Sequence, residues 1–331
     1  MKNTKLDNGA VWRDTDGNVI QAHGGHMLFK DGFWYWYGEN RTEDNYVSCY
    51  RSADLMNWEF RNNILTTRSA TKGIRVFTDL TLKSEGSVNG KINLERPKVL
   101  FNAATGKYVL WAHYENGRDY KSCACAVASC DAPDGDFIYH GSFNPFGYLS
   151  RDCTCYQDDG GAAYFISAAR ADNDDLHVYR LAEDYLNVDY LAHKLWQGER
   201  REAPAIFKRG EKYYMFTSYC TGWAPNQCKY AVSDGIEKRW SMLRDIGDET
   251  TFGTQPAFFI KIKGTKTESY IYVSDRWACK AGLAAAKQPE AYNDSRYVFL
   301  PVTFDKSGNP IMEYCESFSI DVKSGEFHIL K

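Results

Sequence analysis

Four short polar signatures recur along the chain, and they carry the residue types of acid–base chemistry. They read Glu95-Arg96-Pro97, Ser150-Arg151-Asp152, Glu202-Ala203-Pro204 and Thr254-Gln255-Pro256. The anchors Glu95, Asp152, Glu202 and Gln255 are 57, 50 and 53 residues apart. Each stands at or just before a β-rich run that ends in a glycine-bearing turn. An acid or amide at the same point of successive sheet repeats implies side chains converging on one axis. Converging carboxylates suit the cleavage of a glycosidic bond, where one group protonates the leaving oxygen and another handles the water.

Glu202 precedes Ala203-Pro204 and the apolar run Ala205-Ile206-Phe207. The proline keeps the residue before it extended. A glutamate there can point into a partly dry pocket, where burial raises its pKa toward what a general acid needs. The plain alternative is a surface-loop glutamate, and the matching anchors of the other repeats weigh against it. Glu95 adjoins Arg96, which would keep it ionised and able to tune the acid or bind a sugar hydroxyl. Asp152 follows Arg151 and suits a bidentate hydrogen bond to sugar hydroxyls. For both, a structural ion pair with the adjacent arginine is the alternative. Gln255 stands where an acid might be expected. Its amide is too weak a base for ordinary general-base work, but it can position a water or a hydroxyl. The competing reading is a buried amide that satisfies strand ends.

Five segments must position these anchors, beginning at His23, Glu95, Asp152, Glu202 and Gln255. Each contains about four short strand-like runs, separated by turn signals such as Lys30-Asp31-Gly32, Ala104-Thr105-Gly106 and Arg209-Gly210-Glu211. Four strands make one blade, so the expected architecture is all-β, a five-bladed β-propeller forming one domain over residues 1–331. Residues 61–94 are polar and rich in Gly, Ser and Thr. They read as a long loop with one hairpin, placed to roof the site.

The composition narrows the function classes. Net charge is -3 with basic and acidic residues interspersed, which argues against nucleic acid. No apolar run approaches the roughly 20 residues of a membrane span. The 23 tyrosines and 9 tryptophans suit strands and packing, and a sugar-binding face would use some of them. Of the ten cysteines, Cys123/Cys125 and Cys153/Cys155 are spaced i,i+2, unlike a zinc motif, and read as buried free thiols. Asp14-Thr15-Asp16-Gly17-Asn18 reads as a turn, and His23-Gly24-Gly25-His26 as a glycine-cleared entrance near the axis.

In order and spacing these features resemble glycoside hydrolase family 43, and within it the exo-β-1,3-galactanases of subfamily 24. The resemblance rests on the four anchor signatures together with Ile20-Gln21-Ala22-His23-Gly24-Gly25, Tyr35-Trp36-Tyr37-Gly38-Glu39, Thr217-Ser218-Tyr219-Cys220-Thr221-Gly222-Trp223 and Asp275-Arg276-Trp277. It implies an inverting enzyme that releases galactose from β-1,3-galactan, the backbone of type II arabinogalactan. Glu202 would be the general acid, Glu95 the residue that tunes its pKa, and Gln255 the group that takes over the water. Most of the family has an Asp base where this chain has Ala22-His23-Gly24-Gly25. Glu39, Arg96, Asp152, Glu199, Thr221 and Trp223 would contact the terminal sugar. The alternatives are an α-L-arabinofuranosidase of the same fold and a non-catalytic carbohydrate-binding propeller. No cofactor or metal is required, and the resemblance leaves room for a structural calcium near the axis. The expected partner is a polysaccharide or oligosaccharide, without nucleic acid or membrane. A polymer substrate favours an extracytoplasmic protein with its signal removed, an inference that the cysteine count weakens without settling the compartment.

Overall fold

The computed structural model describes residues 2–278 and 289–330. After β1 (Leu6–Asp7) come five four-stranded antiparallel sheets, each made from four consecutive strands. The first holds β2 (His23–Lys30), β3 (Phe33–Glu39), β4 (Asn45–Ser52) and β5 (Glu59–Thr66). The second holds β6 (Asn93–Asn102), β7 (Lys107–Glu115), β8 (Ala124–Cys130) and β9 (Ile138–Phe143). The third holds β10 (Cys153–Gln157), β11 (Ala163–Ala169), β12 (Asp175–Leu181) and β13 (Val188–Leu195). The fourth holds β14 (Arg201–Arg209), β15 (Lys212–Tyr219), β16 (Cys228–Ser233) and β17 (Arg244–Ile246). The fifth holds β18 (Gln255–Lys263), β19 (Glu268–Arg276), β20 (Arg296–Phe304) and β21 (Pro310–Met312). The chain closes with β22 (Ser317–Ile320) and β23 (Phe327–Leu330), which join β1 in a three-stranded sheet that the sequence reading did not anticipate.

The second strand of each sheet shows why the sheets pack face to face. Successive side chains of a strand point to opposite faces. In β3, Trp34 and Trp36 enter the core shared with the fifth sheet, while Tyr35 and Tyr37 enter the core shared with the second. In β7, Leu110 packs toward the first sheet, and Val109 and Trp111 toward the third. Phe165 and Tyr164 of β11 divide in the same way, as do Met215 and Phe216 of β15. A strand buried on both faces needs an almost continuous apolar run. That accounts for the aromatic content, since most of the tryptophans are core residues. The first strands lie side by side: β2 against β6, β6 against β10, β10 against β14, β14 against β18, and β18 against β2.

The long interval between β5 and β6 does two things. Thr71 and Asp79 bridge to Tyr139 and Ser142, so the segment covers the outer edge at β9, where an open strand would invite foreign pairing. It then turns back through a hairpin-like bridge of Lys83 and Lys91, and Val88, Asn89 and Lys91 form one wall of the central cavity.

Candidate active site

Four first strands break register at the same end. The breaks fall between His23 and His26, Glu95 and Lys98, Glu202 and Ala205, and Pro256 and Phe258. A bulge bends a strand and re-aims its side chains. Arg96 and Ala203, each directly before a proline, are not extended as the sequence suggested but adopt φ of 51° and 50° at the bulge, a left-handed conformation that costs an L residue about 1–2 kcal/mol. Pro97 and Pro204 follow, and a residue without an N–H forfeits no ladder bond at a bulge. The Glu-x-Pro signature is therefore a bulge signature that directs Glu95 and Glu202 off the ladder and into the cavity.

The cavity measures about 510 Å³ and collects Glu39, Glu95, Arg96, Asp152, Glu202, Gln255 and Trp223. Glu199 and Thr221 are not among its lining residues. Glu199 is exposed in a turn, and the Thr221 hydroxyl donates to Ala224 O at 2.7 Å within its own loop.

Glu202 is 6% exposed. Its Oε2 accepts from Asn173 Nδ2 at 2.7 Å and its Oε1 from Gln255 Nε2 at 3.0 Å. Burial, followed by the negative charge of Asp152, pushes its carboxyl up to about 8, against the pull of Arg96. Near neutral pH Glu202 carries a proton it can give.

Gln255 uses every hydrogen-bonding position it has. Its Nε2 donates to Glu202 and to Ser218 Oγ at 3.1 Å. Its Oε1 accepts from Arg96 Nη2 at 2.6 Å and Trp277 Nε1 at 2.9 Å. The amide orientation follows, because neither Arg nor Trp can accept. Gln255 and Glu202 are thus in direct contact, where an inverting site holds acid and water-binding group about 6.5–9.5 Å apart.

Glu95 has the opposite surroundings. Its Oε1 accepts from Arg41 Nη2 at 2.7 Å and from the Tyr120 hydroxyl. Its Oε2 lies 3.3 Å from His113 Nδ1. Burial alone would raise its pKa, but His113 and Arg41 outweigh it and hold the carboxyl well below the usual range. Glu39, 1% exposed, shares Arg41 at 3.2 Å and accepts the Arg96 N–H at 2.9 Å. Burial pushes its carboxyl up to about 7 despite Arg41. Arg96 Nε meets Asp152 Oδ2 at 2.8 Å, and its Nη1 donates to Pro256 O at 2.8 Å.

His23 does not line the cavity. It is buried, with Nδ1 3.1 Å from Asp275 Oδ1 and Nε2 2.9 Å from Gln21 Oε1. The glycines beside it permit close approach: a Cβ on Gly24 would stand 2.8 Å from Glu39 Oε1, and one on Gly25 only 2.1 Å from Tyr37 O. Beneath them the buried Lys98 ammonium donates to Gly24 O and Gly25 O at 2.7 and 2.6 Å, and burial pushes its pKa down to about 8.

Among the described residues, Glu95, His113 and Asp152 place ligand atoms within 4.8 Å of one another. Their carboxylates are already paired with Arg41 and Arg96. A cation there would meet two guanidiniums, so the trio does not fit a metal. The nine described cysteines are free thiols. No helix among the described residues is long and apolar enough to cross a membrane. Sequence reading missed Arg41, His113, Tyr120, Asn173, Trp277 and Tyr292 as site residues. Only Trp277 carried a signal, in Asp275-Arg276-Trp277 of the fifth repeat.

A proton-bearing buried carboxyl and an ionised one, on the wall of a cavity that size, are the equipment of a glycoside hydrolase. The comparisons with known proteins narrow the class. The family model for glycosyl hydrolases family 43 matches residues 97–245. An exo-β-1,3-galactanase from Clostridium thermocellum is 42% identical, with TM-score 0.87 over 99% of this chain and 69% of that one. An exo-β-1,3-galactanase from Phanerochaete chrysosporium, crystallised with β-1,3-galactotriose, is 31% identical, with TM-score 0.82 over 99% of this chain and 71% of that one. A family 43 β-1,3-galactosidase with galactodeoxynojirimycin is 31% identical, with TM-score 0.79 over 94% and 99%. Among curated proteins none matches the chain. The chain belongs to glycosyl hydrolase family 43 and is a glycosidase.

Proposed function

We propose that this glycosidase is an exo-acting, inverting β-1,3-galactanase that releases galactose from the backbone of type II arabinogalactan. The observation that carries the reading is the pair of buried carboxyls on one cavity wall, Glu202 held by the amides of Asn173 and Gln255 and Glu95 held by Arg41 beside His113. The resemblance to enzymes named for β-1,3-galactan supports the substrate. In this proposal the five sheets are the blades of one five-bladed β-propeller, which the side-by-side packing of their first strands supports.

Glu202 donates its proton to the glycosidic oxygen as the bond breaks. Glu95 stays anionic as the second carboxylate of the site, while Asp152 is the anion that, after burial, raises the pKa of Glu202. Gln255 orients Glu202 through its Nε2. When a sugar displaces the contact with Glu202, one Nε2 hydrogen is freed to hold the attacking water, whose proton passes to solvent as its oxygen bonds to the anomeric carbon, because the amide is too weak a base to keep it. Glu39, Arg96 and Asp152 bind hydroxyls of the terminal sugar, and Trp223 supplies a ring face. Neither cofactor nor metal takes part. A polymer substrate places this activity outside the cytoplasm.

The test is chromatography of the products from linear β-1,3-galactan, with Glu202→Gln as control. Galactose alone from the earliest time, absent in the control, is the expected result. Proton NMR of the first product should show the α-anomer, as inversion requires. Arabinose from arabinan or arabinogalactan, with no galactose from galactan, would replace this reading with an arabinofuranosidase. Binding of galactan without release of any sugar would replace it with a binding propeller.

A further inference from the structure

Glu95 is backed by two buried residues of β7, His113 and Glu115. They are two apart, so both side chains leave the same face of the strand, and His113 stands directly opposite Glu95 on β6. His113 is 2% exposed and Glu115 0%. The imidazole Nε2 lies 3.0 Å from Glu115 Oε1. Nδ1 lies 3.3 Å from Glu95 Oε2 and 3.9 Å from Asp152 Oδ1, and is aligned on neither. Glu115 Oε2 is itself fixed by the Ser122 N–H at 3.0 Å.

We propose that His113 and Glu115 are positioning residues: His113, lying between two carboxylates, keeps Glu95 a fixed anion by its charge at 3.3 Å, and Glu115, hydrogen-bonded to the other ring nitrogen, holds His113 in that role. The proposal rests on the reading of Glu95 as the charged partner of the general acid. Charge balance supports it. Three carboxyls, Glu95, Asp152 and Glu115, face the imidazole: Arg41 pairs with Glu95 and Arg96 with Asp152, whereas among the described residues no guanidinium forms an ion pair with Glu115, on which Arg151 acts only from farther off. The other acids that face this cluster, Glu39, Glu202, the Tyr120 and Tyr292 phenols and the Cys123 thiol, are all pushed toward their neutral forms, first by burial. A buried anion needs a partner, and the imidazolium is the cation in contact with Glu115. Burial by itself would strip its proton, but Glu115 and Glu95 prevail and push its pKa up to about 10. An ordinary neutral histidine would leave Glu95 leaning on Arg41, which Glu39 also claims.

The experiment pairs nitrogen NMR of histidine-labelled protein with kinetics on β-1,3-galactan, for wild type, His113→Gln and Glu115→Gln. The His113 signals are assigned by their loss in His113→Gln, or by their shift in Glu115→Gln should the first variant not fold. In wild type both His113 ring nitrogens should stay protonated at pH 8, and in Glu115→Gln the ring should lose its proton at lower pH. Glu95 must be ionised, so activity fails as pH falls through its folded pKa. Loss of the nearby cation raises that pKa, and the acid limb should move up by about 1–3 pH units. Turnover should fall more than KM rises. A neutral His113 in wild type at pH 8 overturns the proposal, even if the wild type releases no galactose. So do variants that melt earlier yet keep the wild-type turnover and pH profile.

Discussion

Glu95 and Glu202 start from one local plan and end in opposite states. Each precedes x-Pro, each sits at a bulge, and they are 7% and 6% exposed. Burial disfavours both anions alike. The difference lies in who stands within reach. Glu202 is met by two amides, Asn173 and Gln255, with Asp152 repelling it. Glu95 is met by a guanidinium and an imidazole. Two neutral amides offset less of the lost hydration of a carboxylate than a guanidinium and an imidazolium together do, and at Glu202 the charge of Asp152 adds repulsion. Two repeats of one scaffold thereby yield a proton donor and a fixed anion.

The sharpest way to break this contrast is Glu202→Gln. Loss of the donor should lower kcat by about 10²–10⁴ while galactose still binds, as rates on galactan and calorimetry with galactose would report. Unchanged turnover would remove Glu202 from the chemistry. Glu95→Gln attacks the other half. It leaves Arg41 and His113 facing a neutral amide, and breaking a buried ion pair costs about 3–5 kcal/mol. A lowered melting temperature should accompany reduced turnover, and a stable, fully active variant would deny Glu95 its role.

The pH profile reads the contrast without mutation. Glu202 works in its protonated form, so kcat/KM should fall as pH rises through about 8. A plateau reaching well past pH 9 would mean that another group gives the proton. Asn173→Ala sharpens this. The Asn173 donor favours the Glu202 anion, so its removal should move the basic limb upward by about 0.5–1 unit. A downward shift would contradict the assigned hydrogen bond. The smallest effect belongs to Trp277→Phe, which keeps a ring but removes the N–H that steadies Gln255 Oε1. One hydrogen bond of about 1 kcal/mol predicts a loss of about fivefold in kcat/KM, and no loss would leave Arg96 alone as the fixing donor.

Much of the architecture was legible because strands announce themselves locally. Alternating aromatic runs such as Phe33 to Tyr37, bounded by turns, marked five groups of four strands, and the structure has five such sheets. The three-stranded closure through Leu6–Asp7 was not legible. Two residues have no detectable period, and their partner Ser317–Ile320 is about 310 positions away in sequence. The anchors were visible as repeats, and Glu95, Asp152, Glu202 and Gln255 do meet in one cavity. Glu199 and Thr221 came from neighbouring motif positions, and their loops turn them away from that cavity.

By itself, then, the sequence determined which residue types recur, at what spacing, and which runs are apolar enough to be buried strands. These are properties of a few adjacent residues. Only the tertiary structure decided which carboxyl keeps its proton. That depends on Arg41, His113, Asn173 and Asp152 arriving from different sheets or loops within a few ångströms of two carboxyls that are themselves buried. Electrostatic interaction falls with distance through space and is set by burial, and neither quantity is written in the order of residues along the chain.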